Sequence, residues 1–364
     1  MLSPLDDFPV HQIADTMAHV GTSDRNFYDR YYFNGFAKAG ETMFVFGHGQ
    51  YPNLGVTDAF VLVHHRGQHR VVRASRELRG NRHDLAVGPL RVEVLEPLHR
   101  LRVVCEPNEH GVAIDATWTG AHPPVEEPRH YIREHGRVIF DTCRLAQTGG
   151  WEGTITVGDE TIELRPEDWW GTRDRSWGIR PVGDSEPQGI RAGTPFSWFW
   201  IYTPIRFDDH SIVMIQQDRP DGSKVMEEAV LVRPDGSHEW LGTPRHDLRF
   251  EPGTRNVLGG RLFAGDLAID VEPILPVHIG IGTGYGYDAD WRHGMWHGPD
   301  TVVQGTHIDT TTPEGKAQMF GIVDASARFT YDGHVGYGLF ETMAFGPHQQ
   351  YGFRDIMDGW RPAE

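Results

Sequence analysis

The chain has 364 residues and a formal net charge of −17. That length exceeds what one compact core holds and fits two domains. An acidic surface repels phosphate backbones and anionic lipid, so nucleic acid is not an expected partner. The two cysteines, Cys105 and Cys143, cannot form a disulfide framework and read as small core residues.

The N-terminus, MLSPLDDFPVHQ, carries early acids and no basic-then-apolar signal pattern. No apolar run is long enough to span a bilayer. The expectation is a cytoplasmic protein without a membrane span. Glycine is frequent, at 43 residues, roughly 12% against about 7% in average proteins. Glycines between short apolar runs suit an all-β chain with tight turns.

In chain order, Val10, Ile13, Ala14, Met17 and Ala18 have helical spacing, predicting a short N-terminal helix over 10–20. An aromatic cluster, Phe27 to Phe36, follows. From residue 42 the period becomes two. Strands are predicted over 42–47, 59–65 and 68–74, the last two joined by a turn at Arg66–Gly67. Alternation continues through Leu90–Val94, Leu101–Cys105 and Val112–Trp118. Residues 120–136 break it with prolines and charge, and read as a surface excursion in which Glu127 and His130 are solvated. Strand texture returns at 153–157 and 161–164.

Residues 183–195 are polar and read as a hinge, dividing the chain into domains 1–185 and 186–364. The second half repeats the texture: strands over 196–205, 211–216, 228–232, 262–267, 268–271, 318–323, 327–331 and 335–340. The clearest hairpin turns at Asp332–Gly333. The pattern predicts two antiparallel, barrel-like halves.

Several chemistries lack their motifs. There is no phosphate-binding GxxxxGK[ST] loop, GxSxG elbow, HExxH or CxxC. The glycine-rich run GIGTGYG (280–286) fails the dinucleotide fingerprint. His64 and His65 point to opposite faces of a strand and cannot chelate together. No metal or cofactor site is expected.

The densest chemistry is WWGTRDRSWGIR, residues 169–180, followed by FSWFWIY, 196–202. Asp174 stands between Arg173 and Arg175. Close guanidiniums would lower its pKa, whereas desolvation by tryptophan faces would raise it and make it a proton donor near neutral pH. A buried ion pair pinning two strands is the alternative. Glu341 sits in an apolar strand between Phe340 and Thr342, so it is partnered or desolvated. Tyr202, Tyr285 and Tyr287 could orient a ligand or simply fill space.

The run GTRDRSWGIRP with FSWFWIYTPIRF resembles the carotenoid 1,2-hydratase (hydroxyneurosporene synthase) and AttH-like superfamily. Further elements follow in the same order: Met214-Ile215 with the Pro234-Asp235-Gly236 turn, Met295-Trp296-His297-Gly298, and Gly336-Tyr337-Gly338-Leu339-Phe340-Glu341. The resemblance covers roughly residues 150–345. It implies two lipocalin-like (calycin-type) barrels in tandem, with an apolar ligand at their junction: terpenoid, steroid, polyketide or lipid-like. It implies hydration or dehydration of a double bond, isomerisation or cyclisation, with Asp174 as proton donor and Glu341 or His297 as water-orienting base. Trp170, Arg173, Arg175, Trp177, Trp198, Trp200, Tyr202, Trp296 and Tyr337 would then line the ligand site. Two positions depart from the family motif: Arg175 replaces a histidine, and His297 replaces a glutamate. A non-catalytic carrier is the competing reading, and a homodimer is one open oligomeric state.

Overall fold

The computed structural model describes residues 2–134, 136–184, 186, 197–286 and 288–361. Thus Tyr287, and most of the hinge expected over 183–195, lie outside the described residues. Alternation of apolar side chains drives nearly every element. The chain opens with a meander of β1 (Phe27–Ala37), β2 (Thr42–Tyr51), β3 (Val56–His65) and β4 (Gln68–Glu77). A second meander holds β5 (Ala86–Val87), β6 (Leu90–Glu96), β7 (Arg100–Cys105) and β8 (Val112–Gly120). Then come β9 (Val125–Glu126), β10 (His130–Glu134), β11 (Arg137–Val157), β12 (Glu160–Leu164) and β13 (Trp169–Ile179).

The second half forms β14 (Trp198–Arg206), β15 (Ser211–Asp218), β16 (Lys224–Val232), β17 (His238–Trp240), β18 (Pro244–Phe250), β19 (Val257–Ala264) and β20 (Leu267–His278). It continues with β21 (Val302–Asp309), the one-turn helix α1 (Pro313–Lys316), β22 (Val323–Tyr331) and β23 (His334–Phe345). No helix among the described residues is long and apolar enough to cross a membrane.

These strands make two curled antiparallel sheets, the arrangement of two tandem lipocalin-like domains. The first runs β21-β4-β3-β2-β1-β13-β11-β8-β7-β6-β5, with β9, β10 and β12 also on β11. The second runs β17-β16-β15-β14-β23-β22-β20-β19-β18. Strand β21, late in the chain, crosses back to pair with β4 of the first sheet.

Strands β2 and β3 are buried at all ten positions each. They cannot show apolar–polar alternation because both faces are covered. Phe44, Phe46, Val61 and Val63 face inward with Trp118 and Trp151. Met43, Val45, Phe60 and Leu62 face outward and meet Tyr202, Val213, Ile215 and Leu339 of the second sheet. The second sheet's other face closes its own core around Phe199, Phe250, Phe329 and Phe340. The molecule therefore has three apolar layers separated by two sheets, and the middle layer is built from both.

High glycine content has a specific use. Gly35, Gly171, Gly149 and Gly120 lie side by side on β1, β13, β11 and β8. A Cβ on Gly35 would fall 2.2 Å from the Phe44 ring, and one on Gly149 would fall 2.5 Å from Trp118. The missing side chains let Phe44, Trp118 and Trp151 close over the sheet edge-to-face.

Two expected elements are absent. Residues 10–20 form no helix; the N-terminal element is a single 3-10 turn, Pro4–Asp7. The Asp6 carboxylate accepts the backbone N–H of Met17 at 2.8 Å, drawing this segment back over the turn. Val10 and Ile13 are more than 40% exposed, so their stripe finds no surface to cover, and a short helix needs one. The strand expected over 318–323 is a turn leaving α1; extended pairing begins only at Val323. The Arg66–Gly67 and Asp332–Gly333 hairpins form as read, with positive φ at all four residues.

A Cβ at position 171 would lie 2.1 Å from the Asn34 carbonyl oxygen. Gly171→Ala should therefore cost about 1–3 kcal/mol, seen as a lower midpoint in chemical denaturation.

Candidate active site

Strand register lays two rows of side chains on the facing surfaces of the middle layer. On the first sheet the row is Gly47, Tyr32, Asp174, Ala146 and Val125. On the second it is Ile215, Tyr202, Glu341, Asp324 and Val277. The Tyr32 hydroxyl crosses the layer and donates to Asp324. Asp174 and Glu341 thus belong to one site, contributed by different sheets.

Arg144, on β11, lies on the same face as Asp174. Its guanidinium stacks over the rings of Trp200 and Tyr202, at 5.3 and 4.9 Å, and donates to the Glu127 carboxylate. Trp198, Trp200, His130 and Phe140 continue the aromatic wall, with ring centroids 4.9–6.2 Å apart. Burial holds His130 neutral, its pKa lowered to about 4, with Arg144 adding to the effect.

Burial is also the main force on Asp174. It pushes the carboxyl up to about 7, against the pull of Arg144, while Glu127 and Glu341 push it further. Among the described residues no side chain donates a hydrogen bond to it, yet the residue is only half-buried and faces the layer. The Tyr202 hydroxyl and Glu127 Oε1 are buried without a hydrogen-bond partner among the described residues. Glu341 accepts the indole N–H of Trp200. Burial raises its pKa too, opposed by that hydrogen bond. A carboxyl whose pKa is raised to about 7, a second carboxyl and an aromatic wall therefore share one layer.

The two arginines beside Asp174 in sequence point to the opposite face of β13. Arg173 donates to Gln147 Oε1 at 2.7 Å. Arg175 pairs with Asp29 and covers the Tyr31 ring at 4.2 Å. The cations with the largest effect on Asp174 are Arg144 and Arg30, each set across from Ser176 on a neighbouring strand. Residues 120–136 also need correction. Glu127 and His130 are buried at 4% and 6% exposure, because β9 and β10 pair with β11 and Val125 drops into the middle layer.

A family model described as "Family of unknown function (DUF8625)" matches residues 2–354. The chain belongs to this family. No curated protein matches it. Among solved structures, the DUF8625 chain is similar to a putative AttH from Nitrosomonas europaea, at 14% identity and a TM-score of 0.57, over 92% of this chain and 98% of that one. It is also similar to kievitone hydratase from Nectria haematococca, at 13% identity and 0.53, over 90% and 93%. The fold is thus that of the AttH and carotenoid hydratase-like group.

Other expected residues of this DUF8625 chain are dispersed. Trp170 lies in the middle layer two pleats from Asp174, sandwiched by Lys38 and Arg206 and edge-on to Tyr337. Trp177 and Trp296 are exposed. His297 stacks on Trp291 at 4.2 Å, and its charged neighbours are Arg73, Asp290, Asp58 and Asp184 rather than the two site carboxyls. Sequence reasoning missed Tyr32, Arg144 and Asp324 as site groups. Asp324 carried a signal of the Glu341 kind, a carboxyl entering an apolar strand.

Asp218, His246 and His348 come together in the second sheet's own core, all buried, as residue types that can take a divalent cation. Lys224 stands 2.8 Å from Asp218 Oδ1 and already supplies positive charge. Tyr351 accepts the Leu248 N–H and a Gln350 Nε2–H, so its own proton goes to His246 Nδ1, 2.6 Å away. His246 then carries hydrogen on Nε2 and donates it to Asp218 Oδ2 at 3.0 Å. The nitrogen that would face an ion is occupied, and the group acts as a clamp on residues 346–353. Burial opposes the Asp218 charge, but hydrogen bonds from His246, His348 and Lys224 outweigh it and hold the carboxyl well below its ordinary range.

Two measurements follow from these environments. Asp218→Ala leaves Lys224 and two imidazoles without their acceptor and should cost about 3 kcal/mol in denaturant unfolding. Asp174 has the opposite sign. Its folded pKa lies above the unfolded one, so stability falls as pH rises from 3.8 to about 7. Asp174→Asn should therefore match the parent near the low end of that window and melt higher than the parent above it.

Proposed function

We propose that this protein is an enzyme acting on an apolar small molecule held between the two sheets. It adds or removes water across a carbon–carbon double bond, or isomerises or cyclises the substrate. One observation carries the reading: a half-buried carboxyl with a pKa of about 7, Asp174, faces a second carboxyl, Glu341, beside an aromatic wall.

In the hydration direction, Asp174 donates its proton to one alkene carbon and becomes a carboxylate. The adjacent carbon gains positive charge, which the faces of Trp198 and Trp200 stabilise. Water attacks that carbon and gives a proton to Glu341, whose return to Asp174 through solvent resets the site. The net change is addition of one water. Dehydration runs the same steps backwards, and cyclisation replaces water with a second double bond of the same molecule. Similarity to kievitone hydratase supports this class of chemistry. A lipocalin-like carrier would keep the wall but needs no titratable carboxyl facing it.

The first experiment is native mass spectrometry of the purified protein, with identification of any co-purified apolar compound as a substrate scaffold. On that scaffold Asp174→Asn should lower turnover by about 10²–10⁴-fold while the dissociation constant holds. Parent turnover should fall as pH rises through about 7, because Asp174 then enters the cycle without its proton. Full activity in Asp174→Asn would sink the assignment, and tight binding with no turnover in the parent would favour a carrier.

A further inference from the structure

Asp324 has no part in the steps above, yet it lies directly beside Glu341 on the neighbouring strand. Register sets the two carboxyls opposite each other on β22 and β23. Glu341 is half-buried and reaches the layer. Asp324 stands in the same row but is 0% exposed. Its Oδ2 accepts the Tyr32 hydroxyl, while its Oδ1 has no other hydrogen-bond partner among the described residues. Glu341 in turn accepts from Trp200. Both donors are neutral, so neither brings the positive charge that two adjacent carboxylates would require.

The charged and titratable groups around the pair can be named element by element. Tyr32 faces it from β1, Asp174 from β13, Arg144 from β11, Glu127 from the segment after β9, Tyr202 from β14, and Tyr285 from the loop after β20. Arg144 is engaged by Glu127, and Arg30 lies 3.0 Å from His293. Asp174, Glu127 and the pair itself make four carboxyls in one layer. Two neighbouring carboxyls in such surroundings cannot both ionise.

We infer that Asp324 is a neutral carboxylic acid whose Oδ1–H is directed at the Glu341 carboxylate, the two sharing one proton. Asp324 is then a positioning residue. It fixes the orientation of Glu341 and stabilises its anion, so that the half-buried side chain is the base and the fully buried one is the acid. The catalytic consequence rests on the enzyme reading, but the shared proton does not. Burial and the Glu341 charge hold the Asp324 carboxyl well above its ordinary range, in keeping with this division.

Infrared spectroscopy tests the proton directly, without a substrate. The full chain carrying Asp174→Asn serves as parent, because it removes any residual protonated Asp174 carboxyl from the layer. At about pH 8, where ordinary carboxyls are ionised, it should retain the C=O stretch of one carboxylic acid. Adding Asp324→Asn should abolish that band. Adding Glu341→Gln instead should move it to higher frequency, because the acid loses an anionic acceptor; this second variant covers a failure of the first to fold. Absence of the band in the parent, or a band unmoved by either change, overturns the inference.

With substrate, Asp324→Asn alone should raise the acid limb of the kcat profile by about one unit, since an amide N–H is a weaker donor to Glu341 than a carboxylic O–H, with KM unchanged. An unmoved limb would overturn the positioning role. A band that behaves as expected in a protein with no turnover would count against the enzyme reading alone.

Discussion

Face-to-face closure of the two sheets is the constraint on which the rest depends. Strands β2 and β3 are buried at every position, and Met43, Val45, Phe60 and Leu62 on their outer faces pack into the layer shared with the second sheet. Any polar group placed in that layer loses water and must be hydrogen-bonded, paired or neutral. Direct ties hold the closure: Tyr32 to Asp324, Arg206 to the Gly149 carbonyl, and Ser211 to both Thr148 and His122. The candidate site is therefore a property of the assembly of both sheets and of neither alone.

Across the buried layers, the position of cations decides what each carboxyl does. Asp218 and Asp174 are the same residue type under heavy desolvation. Lys224 and two imidazoles reach Asp218 and hold its proton off. Asp174 feels the charges of Arg144 and Arg30 but accepts no hydrogen bond from them, because Arg144 donates to Glu127, and the two arginines beside it in sequence lie across the sheet. One aspartate is a structural anion, and the other has the proton affinity of a general acid. The difference comes from a few ångströms of placement and no difference in composition.

Much of the architecture was legible in the chain. Period-two runs and glycine turns predicted antiparallel sheets, and the Arg66–Gly67 and Asp332–Gly333 hairpins formed where the turns were read, with positive φ. Ordered motifs between Trp169 and Glu341 pointed to the fold group that the solved structures share. The failures were local patterns that tertiary contacts overrode. The stripe at 10–20 had helical spacing but no surface to bury against, and Asp6 captured the backbone that a helix would have used. Prolines and charge in 120–136 suggested solvent, yet pairing with the long strand β11 buried Glu127 and His130.

By itself, the sequence determined which side chains share a face, because alternation along a strand is a local property. Asp174 was bound to lie on the same side as Trp170 and opposite Arg173 and Arg175. What alternation cannot supply is the identity of the facing surface. That Asp174 meets Glu341, that Asp324 stands beside Glu341 and takes the Tyr32 hydroxyl, and that Arg144 approaches from β11 depend on strand order and on two sheets closing over each other. The meetings of Asp174 with Glu341 and of Tyr32 with Asp324 join residues more than a hundred positions apart. No local pattern encodes such pairings, and the electrostatics that turn an aspartate into an acid follow only once they are made.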